Sequence, residues 1–379
     1  MIDFTSHADA LEALKSKGRY RSLAPRSGHD FVSNDYLGLA ASDVLHEAAL
    51  EALRRGISVG SGGSRLLRGN TSEHELLEVE AAAFFNTERA LFFGSGFAAN
   101  TAIFSSLPGH DDLIVYDALI HASAHDGMRL GRGEKISFVH NNVAHAENTI
   151  TEWRSKGGKG RVWLAFESLY SMDGDFAPVD DLVALANRHD AIVVVDEAHA
   201  TGVFGDQGRG LVHGFEGSEN ILTLHTCGKG LGASGALVCG AAPLIDTLIN
   251  RARGFIYATA PSPLNAAIVR AALQGLQASN ARQEALKKLI AHAHEEANKH
   301  CGITGLQSQI IPVIIGDDKQ TMALAERLQQ RGFDIRGIRP PSVPQGTSRL
   351  RISITLNTST NVISQMFSAL VVELEACKA

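Results

Sequence analysis

Between about residues 43 and 275, short apolar runs alternate with stretches patterned for helices, and no other feature of the chain constrains its fold as strongly. The runs are Arg89-Ala-Leu-Phe-Phe93, Asp112-Leu-Ile-Val-Tyr116, Arg161-Val-Trp-Leu-Ala-Phe166, Ala191-Ile-Val-Val-Val195 and Gly235-Ala-Leu-Val-Cys239. A strand that is apolar at nearly every position buries both of its faces. Helices between such strands cover a sheet from two sides, so the pattern predicts an α/β fold with a mostly parallel central sheet and helices on both faces. Residues 1–42 read as an N-terminal arm, with a helix over Ala8 to Lys17 and an irregular Phe31-Val-Ser-Asn-Asp-Tyr-Leu-Gly-Leu39. Residues 43–278 form the large domain. Residues 279–379 read as a smaller C-terminal α+β domain: helices near Gln283–His300, Thr321–Arg331 and Val362–Cys377, and strands near Gln309–Ile315 and Arg349–Ile354.

At 379 residues, 44% apolar and 20% charged, the chain has the composition of a folded globular protein and excludes disorder. Its 35 basic and 41 acidic side chains leave −6, no global field for nucleic acid or an anionic membrane, so a small partner is expected. Cys227, Cys239, Cys301 and Cys377 are scattered without a C-x-x-C pair, which fits a reducing compartment. The opening residues are acidic at Asp3 where a signal peptide carries positive charge. No run approaches the ~18 apolar residues of a membrane span, so a cytoplasmic location without membrane contact is expected.

Three segments could carry chemistry. The run ending at Val195 leads into Asp196-Glu-Ala-His199, and the carboxyl ends of parallel strands are where such sheets bind ligands. Asp196 there either caps the next turn or meets a ligand. The same letters spell a helicase box, but the chain lacks G-x-x-x-x-G-K-[ST], and that reading falls. In Thr226-Cys-Gly-Lys229-Gly-Leu-Gly232 a lysine is flanked by glycines, which leave space for its amine to approach a carbonyl. In Phe93-Gly-Ser-Gly96-Phe97 a strand turns into a helix, whose free amides suit an anion; purely structural glycines would look the same. Gly56-Ile-Ser-Val-Gly60 follows a helical segment rather than a strand, and so is not a hydrolase elbow. His121 and His125 have the spacing of a zinc pair but no third ligand, so no metal is expected.

In order, the anion turn at 94–97, His121, Glu167, Ser171, Asp196-x-x-His199 and Lys229 resemble the α-oxoamine synthases, fold-type I pyridoxal-phosphate (PLP) transferases that condense an amino acid with an acyl thioester and release carbon dioxide. The likeness extends from Tyr20-Arg21 and Ser33-Asn-Asp-Tyr-Leu-Gly-Leu39 to Arg349-Leu-Arg351. It implies that Lys229 carries PLP as a Schiff base and moves the substrate Cα proton, that Asp196 holds the pyridine nitrogen, and that His121 stacks on the ring. His199 and Ser171 would bond the phenolic oxygen, and Thr226 with the Gly96 and Phe97 amides the phosphate. It further implies a homodimer with shared active sites in which Thr259 serves the neighbouring subunit. Arg351 would grip the amino-acid carboxylate with help from Asn34, while Arg21 and Ser342 would meet the acyl substrate. Arg349, two residues away on the same strand face, is equally read as a local ion-pair partner. Gly60–Gly69 and Gly337–Gly346 look most like the branch that joins L-alanine to a pimeloyl thioester, carried by coenzyme A or an acyl carrier protein. Branches using glycine or serine, among them glycine C-acetyltransferase, 5-aminolevulinate synthase and serine palmitoyltransferase, share the lysine, the Asp-x-x-His and the arginine. Tyr257-Ala-Thr-Ala-Pro-Ser-Pro263 departs from the family's usual stretch, and Cys227 sits inside the cofactor segment.

Overall fold

Two-sided burial turns the apolar runs into strands. The computed structural model describes residues 2–215 and 217–376, and the chain divides into two units. One comprises Asp35–Ser171 and Phe176–Glu284; the other comprises the segment up to Asn34, Met172–Asp175 and the chain from Ala285 on.

The first unit is built on seven strands: β1 (Arg89–Phe93), β2 (Leu113–Asp117), β3 (Glu134–Phe138), β4 (Val162–Glu167), β5 (Ile192–Asp196), β6 (Ile221–Thr226) and β7 (Ala236–Gly240). Their spatial order is β1-β7-β6-β5-β4-β2-β3. Strands β2 to β6 run parallel, and β7 alone is antiparallel to both its neighbours. Two strands escape the apolar-run criterion for physical reasons. β3 lies at the sheet edge, where Glu134 and Lys135 face solvent, and β6 buries Thr223, His225 and Thr226 among its apolar residues.

Alternation sorts the side chains between two cores. Val162, Leu164 and Phe166 pack with Val193 and Val195 beneath the helices Val143–Ser155 and Val179–Arg188. Trp163, Ala165, Val194 and Leu224 pack on the other face with the helices Gly96–Ser106, Ala122–Leu130 and Ala242–Arg251. Each buried Val or Leu contributes roughly 1.5–3 kcal/mol, and a one-residue slip would exchange the faces, so register is fixed. Because β2, β4, β5 and β6 are parallel, Asp117, Glu167, Asp196 and Thr226 all finish at the same edge of the sheet.

The second unit carries an antiparallel sheet of β8 (Ile310–Gly316), β9 (Arg336–Ile338) and β10 (Ser348–Ser353) in the order β9-β10-β8, with helices Asp318–Gln330 and Thr360–Ala376. The expected helix end at Cys377 lies outside the described residues. The N-terminal helix Thr5–Ser16 buries no side chain, but the segment after it is anchored. His29 and Asp30 pair in parallel with Phe333 and Asp334, and the Phe31 carbonyl accepts from the Ser353 amide at 2.9 Å. Among the described residues no helix is long and apolar enough to cross a membrane.

Candidate active site

The carboxyl ends of the parallel strands open on a cleft of about 160 Å³ within the first unit. Lys229 reaches it from the loop after β6. Its Nζ lies 2.7 Å from Nε2 of His199, and Nδ1 of the same ring lies 2.6 Å from the hydroxyl of Tyr36. Two glycines bring these parts together. A Cβ on Gly230 would stand 2.3 Å from the Thr201 carbonyl, and one on Gly232 (φ +65°) would stand 2.5 Å from Leu39. Only glycine lets the lysine loop press both against the turn after His199 and against the segment that carries Tyr36.

Asp196, at the end of β5, accepts a 2.7 Å bond from Asn100 Nδ2 and a 2.9 Å bond from the Ala198 amide. The second Asn100 amide hydrogen goes to Ser123 Oγ at 3.0 Å, and Ser123 Oγ is 2.7 Å from His121 Nδ1. That nitrogen also accepts the Ser123 amide at 3.2 Å, as the cap of the helix Ala122–Leu130. Nδ1 is therefore the acceptor and the ring proton sits on Nε2. Burial, partly offset by the Asp196 charge, holds the His121 pKa below its ordinary value and keeps the ring neutral.

At the other end of the cleft the helix Gly96–Ser106 presents its N-terminus. Ser95 Oγ caps the Ala98 amide at 3.1 Å, the first turn holds no acid, and the Gly96 and Phe97 amides remain for an anion. A Cβ on Gly96 would sit 3.4 Å from Thr226 Oγ1, so the glycine and that hydroxyl form two walls of one small recess.

The cleft thus gathers Gly96, Phe97, His121, Asp196, His199, Thr226 and Lys229 from the residues expected by sequence. Ser171 is not among the lining residues; its amide donates to Glu167 Oε2 at 3.2 Å. Thr259 is exposed and does not line the cleft of its own chain. Its divergent loop is tied down by the Ala260 amide on the Gly63 carbonyl (2.9 Å) and by Ser61 and His74 on the Pro261 carbonyl. Cys227 is fully buried and its thiol pKa is pushed up by burial, which leaves it a packing residue. Tyr36, Asn100 and Ser123 were not singled out by sequence. Tyr36 sits in an irregular segment and the other two on helices, where nothing in the local pattern marks them.

In the second unit Arg351 is buried on β10, its Nη1 on Ser353 Oγ at 2.7 Å and its Nη2 on Asn34 Oδ1 at 3.1 Å, which brings these two residues together. Arg349 is committed locally, with Nη1 on Asp173 at 2.5 Å and Nε and Nη2 on Thr347. Ser342 and Arg21 are exposed.

The aminotransferase class I and II family profile matches residues 28–368. The 8-amino-7-oxononanoate synthase of Geobacter sulfurreducens is 39% identical over 92% of this chain and 93% of its own. A serine palmitoyltransferase from S. paucimobilis with a bound PLP–myriocin aldimine superposes with a TM-score of 0.90 at 26% identity, covering all of both chains. The 8-amino-7-oxononanoate synthase of Francisella tularensis superposes with a TM-score of 0.77 at 27% identity, over 93% of this chain and 99% of that one. The fold is that of the fold-type I PLP-dependent transferases, and the chain belongs to the aminotransferase class I and II family and, within it, to the 8-amino-7-oxononanoate synthases.

Proposed function

We propose that this chain is a PLP-dependent acyltransferase that condenses L-alanine with a pimeloyl thioester, on coenzyme A or an acyl carrier protein, releasing carbon dioxide and the free thiol to form 8-amino-7-oxononanoate for biotin synthesis. It acts in the cytoplasm as a homodimer with shared active sites. The observation that carries the reading is one cleft in which Lys229, Asp196, His121 and a helix N-terminus converge, in a chain 39% identical to a named 8-amino-7-oxononanoate synthase.

The residues present fit the cofactor. The recess between Gly96 and Thr226 combines the Gly96 and Phe97 amides with the positive end of an 11-residue helix, a donor set for a phosphate, and the Thr226 hydroxyl beside them holds a long 3.3 Å bond to the Gly235 carbonyl that an anion would replace. Asp196, fixed by Asn100 and the Ala198 amide, offers a carboxylate for a protonated ring nitrogen. When bound, PLP supplies an electron sink for the carbanion formed at the amino-acid Cα and again as carbon dioxide leaves.

Lys229 Nζ would hold the cofactor, and its amine would serve as the base for the Cα proton. His199 orients that amine and Tyr36 orients His199. With PLP bound, Asp196 would keep the proton on the ring nitrogen, His121 would cover the ring face as a neutral imidazole, and His199 with Ser171 would bond the phenolic oxygen. Arg351, held by Asn34, presents a planar fork to the amino-acid carboxylate. Arg21 and Ser342 meet the acyl substrate, and Thr259 serves the partner subunit's site.

The test is an absorption spectrum of the purified protein titrated separately with L-alanine, glycine and L-serine, then with pimeloyl-CoA. A yellow chromophore perturbed by L-alanine, and perturbed again by the thioester, is expected. The higher TM-score of the serine palmitoyltransferase overlay is the reason to include L-serine. A chromophore answering only serine or glycine would overturn the substrate, and the absence of any chromophore after added PLP would overturn the reading.

A further inference from the structure

Three acids end neighbouring strands at the cleft edge, and they are not equivalent. Asp117, on β2, accepts from the Leu119 and Asn141 amides (2.8 and 2.9 Å) and contacts His140 Nδ1 at 2.9 Å. Asp196, on β5, has Asn100 and the Ala198 amide. Between them on β4, in register with Asp196, stands Glu167, 2% exposed. Its Oε2 takes the Ser171 amide at 3.2 Å, Oε1 is buried without a hydrogen-bond partner, and the residue is part of the cleft lining.

A buried carboxylate oxygen without a donor is costly, and a second negative charge beside Asp196 adds to the cost. The groups facing Glu167 are Asp196 from β5, Asp117 from β2, Lys229 from the loop after β6 and the Ser171 amide from its own strand's exit. Burial first, and Asp196 next, push its pKa well above the carboxylate range, with Lys229 opposing. Since Oε2 already accepts a hydrogen bond, the proton belongs on Oε1, which then becomes a donor on a residue of the cleft wall.

We infer that Glu167 enters this cleft as a neutral carboxylic acid whose Oε1–H donates a hydrogen bond to an exocyclic oxygen carried by the ring held against Asp196. The inference rests on the PLP reading above. Asp196 fixes the ring nitrogen in its protonated form, and Glu167 supplies a second, uncharged contact.

The test uses the intact protein, with and without PLP. In the difference infrared spectrum of wild type minus Glu167→Gln at neutral pH, a protonated-carboxyl carbonyl band is expected in the ligand-free protein, and it should move to lower frequency when PLP binds. Glu167→Gln keeps an N–H donor and should bind PLP within about threefold of wild type, whereas Glu167→Leu should bind about tenfold or more weakly. Absence of the band, or a band that PLP does not move, overturns the inference even if Glu167→Leu fails to fold. A folded Glu167→Leu that binds PLP as wild type does also overturns it. A wild-type protein that takes up no PLP overturns the cofactor reading itself, and this inference with it.

Discussion

Tyr36 and Lys229 occupy opposite nitrogens of one imidazole: the Tyr36 hydroxyl is 2.6 Å from Nδ1 of His199 and Lys229 Nζ is 2.7 Å from Nε2. The ring can therefore sit in two arrangements. With an ammonium at Lys229, Nε2 accepts and Nδ1–H donates to Tyr36; with a free amine, Nε2–H donates and the Tyr36 hydroxyl donates to Nδ1. Tyr36→Phe removes that contact and biases the pair. Its kcat should fall about tenfold, equivalent to about 1.4 kcal/mol, with an altered pH profile and unchanged cofactor content. Steady-state kinetics across pH, with cofactor quantified spectrophotometrically, checks it, and an unchanged profile would remove Tyr36 from the mechanism.

The two arginines of β10 should separate cleanly. Arg349→Lys loses the fork that ties Asp173 and Thr347, and should cost about 2 kcal/mol of stability while leaving the L-alanine KM near wild type. Arg351→Lys should raise the L-alanine KM about tenfold or more with a smaller effect on unfolding. Urea unfolding and kinetics on both variants decide, and the reverse assignment would exchange their roles.

Gly96→Ala should uncouple folding from cofactor binding. The added methyl makes only ordinary contact, 3.4 Å from Thr226 Oγ1, and alanine favours a helix by about 0.5–1 kcal/mol. It also occupies the recess assigned to the phosphate. The protein should be at least as stable without PLP and bind PLP about tenfold more weakly, measured by thermal unfolding and by absorbance titration.

Two buried groups should pull the pH dependence of stability in opposite directions. Burial raises the Glu197 pKa from 4.5 to about 7, although Ser168 and the Leu211 and Val212 amides all donate to it. Its stabilising contribution is complete below 4.5 and is lost as pH rises through about 7. Burial lowers the His225 pKa from 6.5 to about 3, so its contribution is complete above 6.5 and is lost as pH falls toward 3. Relative to wild type, the unfolding free energy of Glu197→Gln should rise by about 2 kcal/mol between pH 5 and 6.5, and that of His225→Asn should fall by a similar amount. Urea unfolding at both pH values checks the signs, and parallel curves would show that neither group titrates on unfolding in this range.

Much of this was legible before the structure, for reasons visible in particular residues. Val193 and Val195 face one core and Val194 the other, so their unbroken apolar run announces a doubly covered strand, and Asp196 follows at its carboxyl end. The glycines around Lys229 marked it only as a candidate, and its cofactor role came from the resemblance to the α-oxoamine synthases. What stayed hidden depends on distance in sequence. Tyr36 meets His199 across 163 residues and Asn100 meets Asp196 across 96, and neither has a local pattern to mark the pairing. β3 was missed because an edge strand has no need of an apolar run.

The helix Gly96–Ser106 carries both the recess beside Thr226 and, one turn on, the amide that holds Asp196. It therefore works as a gauge, setting a fixed span of roughly 6 Å along its axis between the seat for an anion and the clamp on the acid. One residue inserted between Phe97 and Asn100 would turn Asn100 by about 100° and carry its amide off the acid, while the amides at the mouth stayed in place. Substitutions along this turn are open to selection wherever the side chain faces neither end, but its length is not.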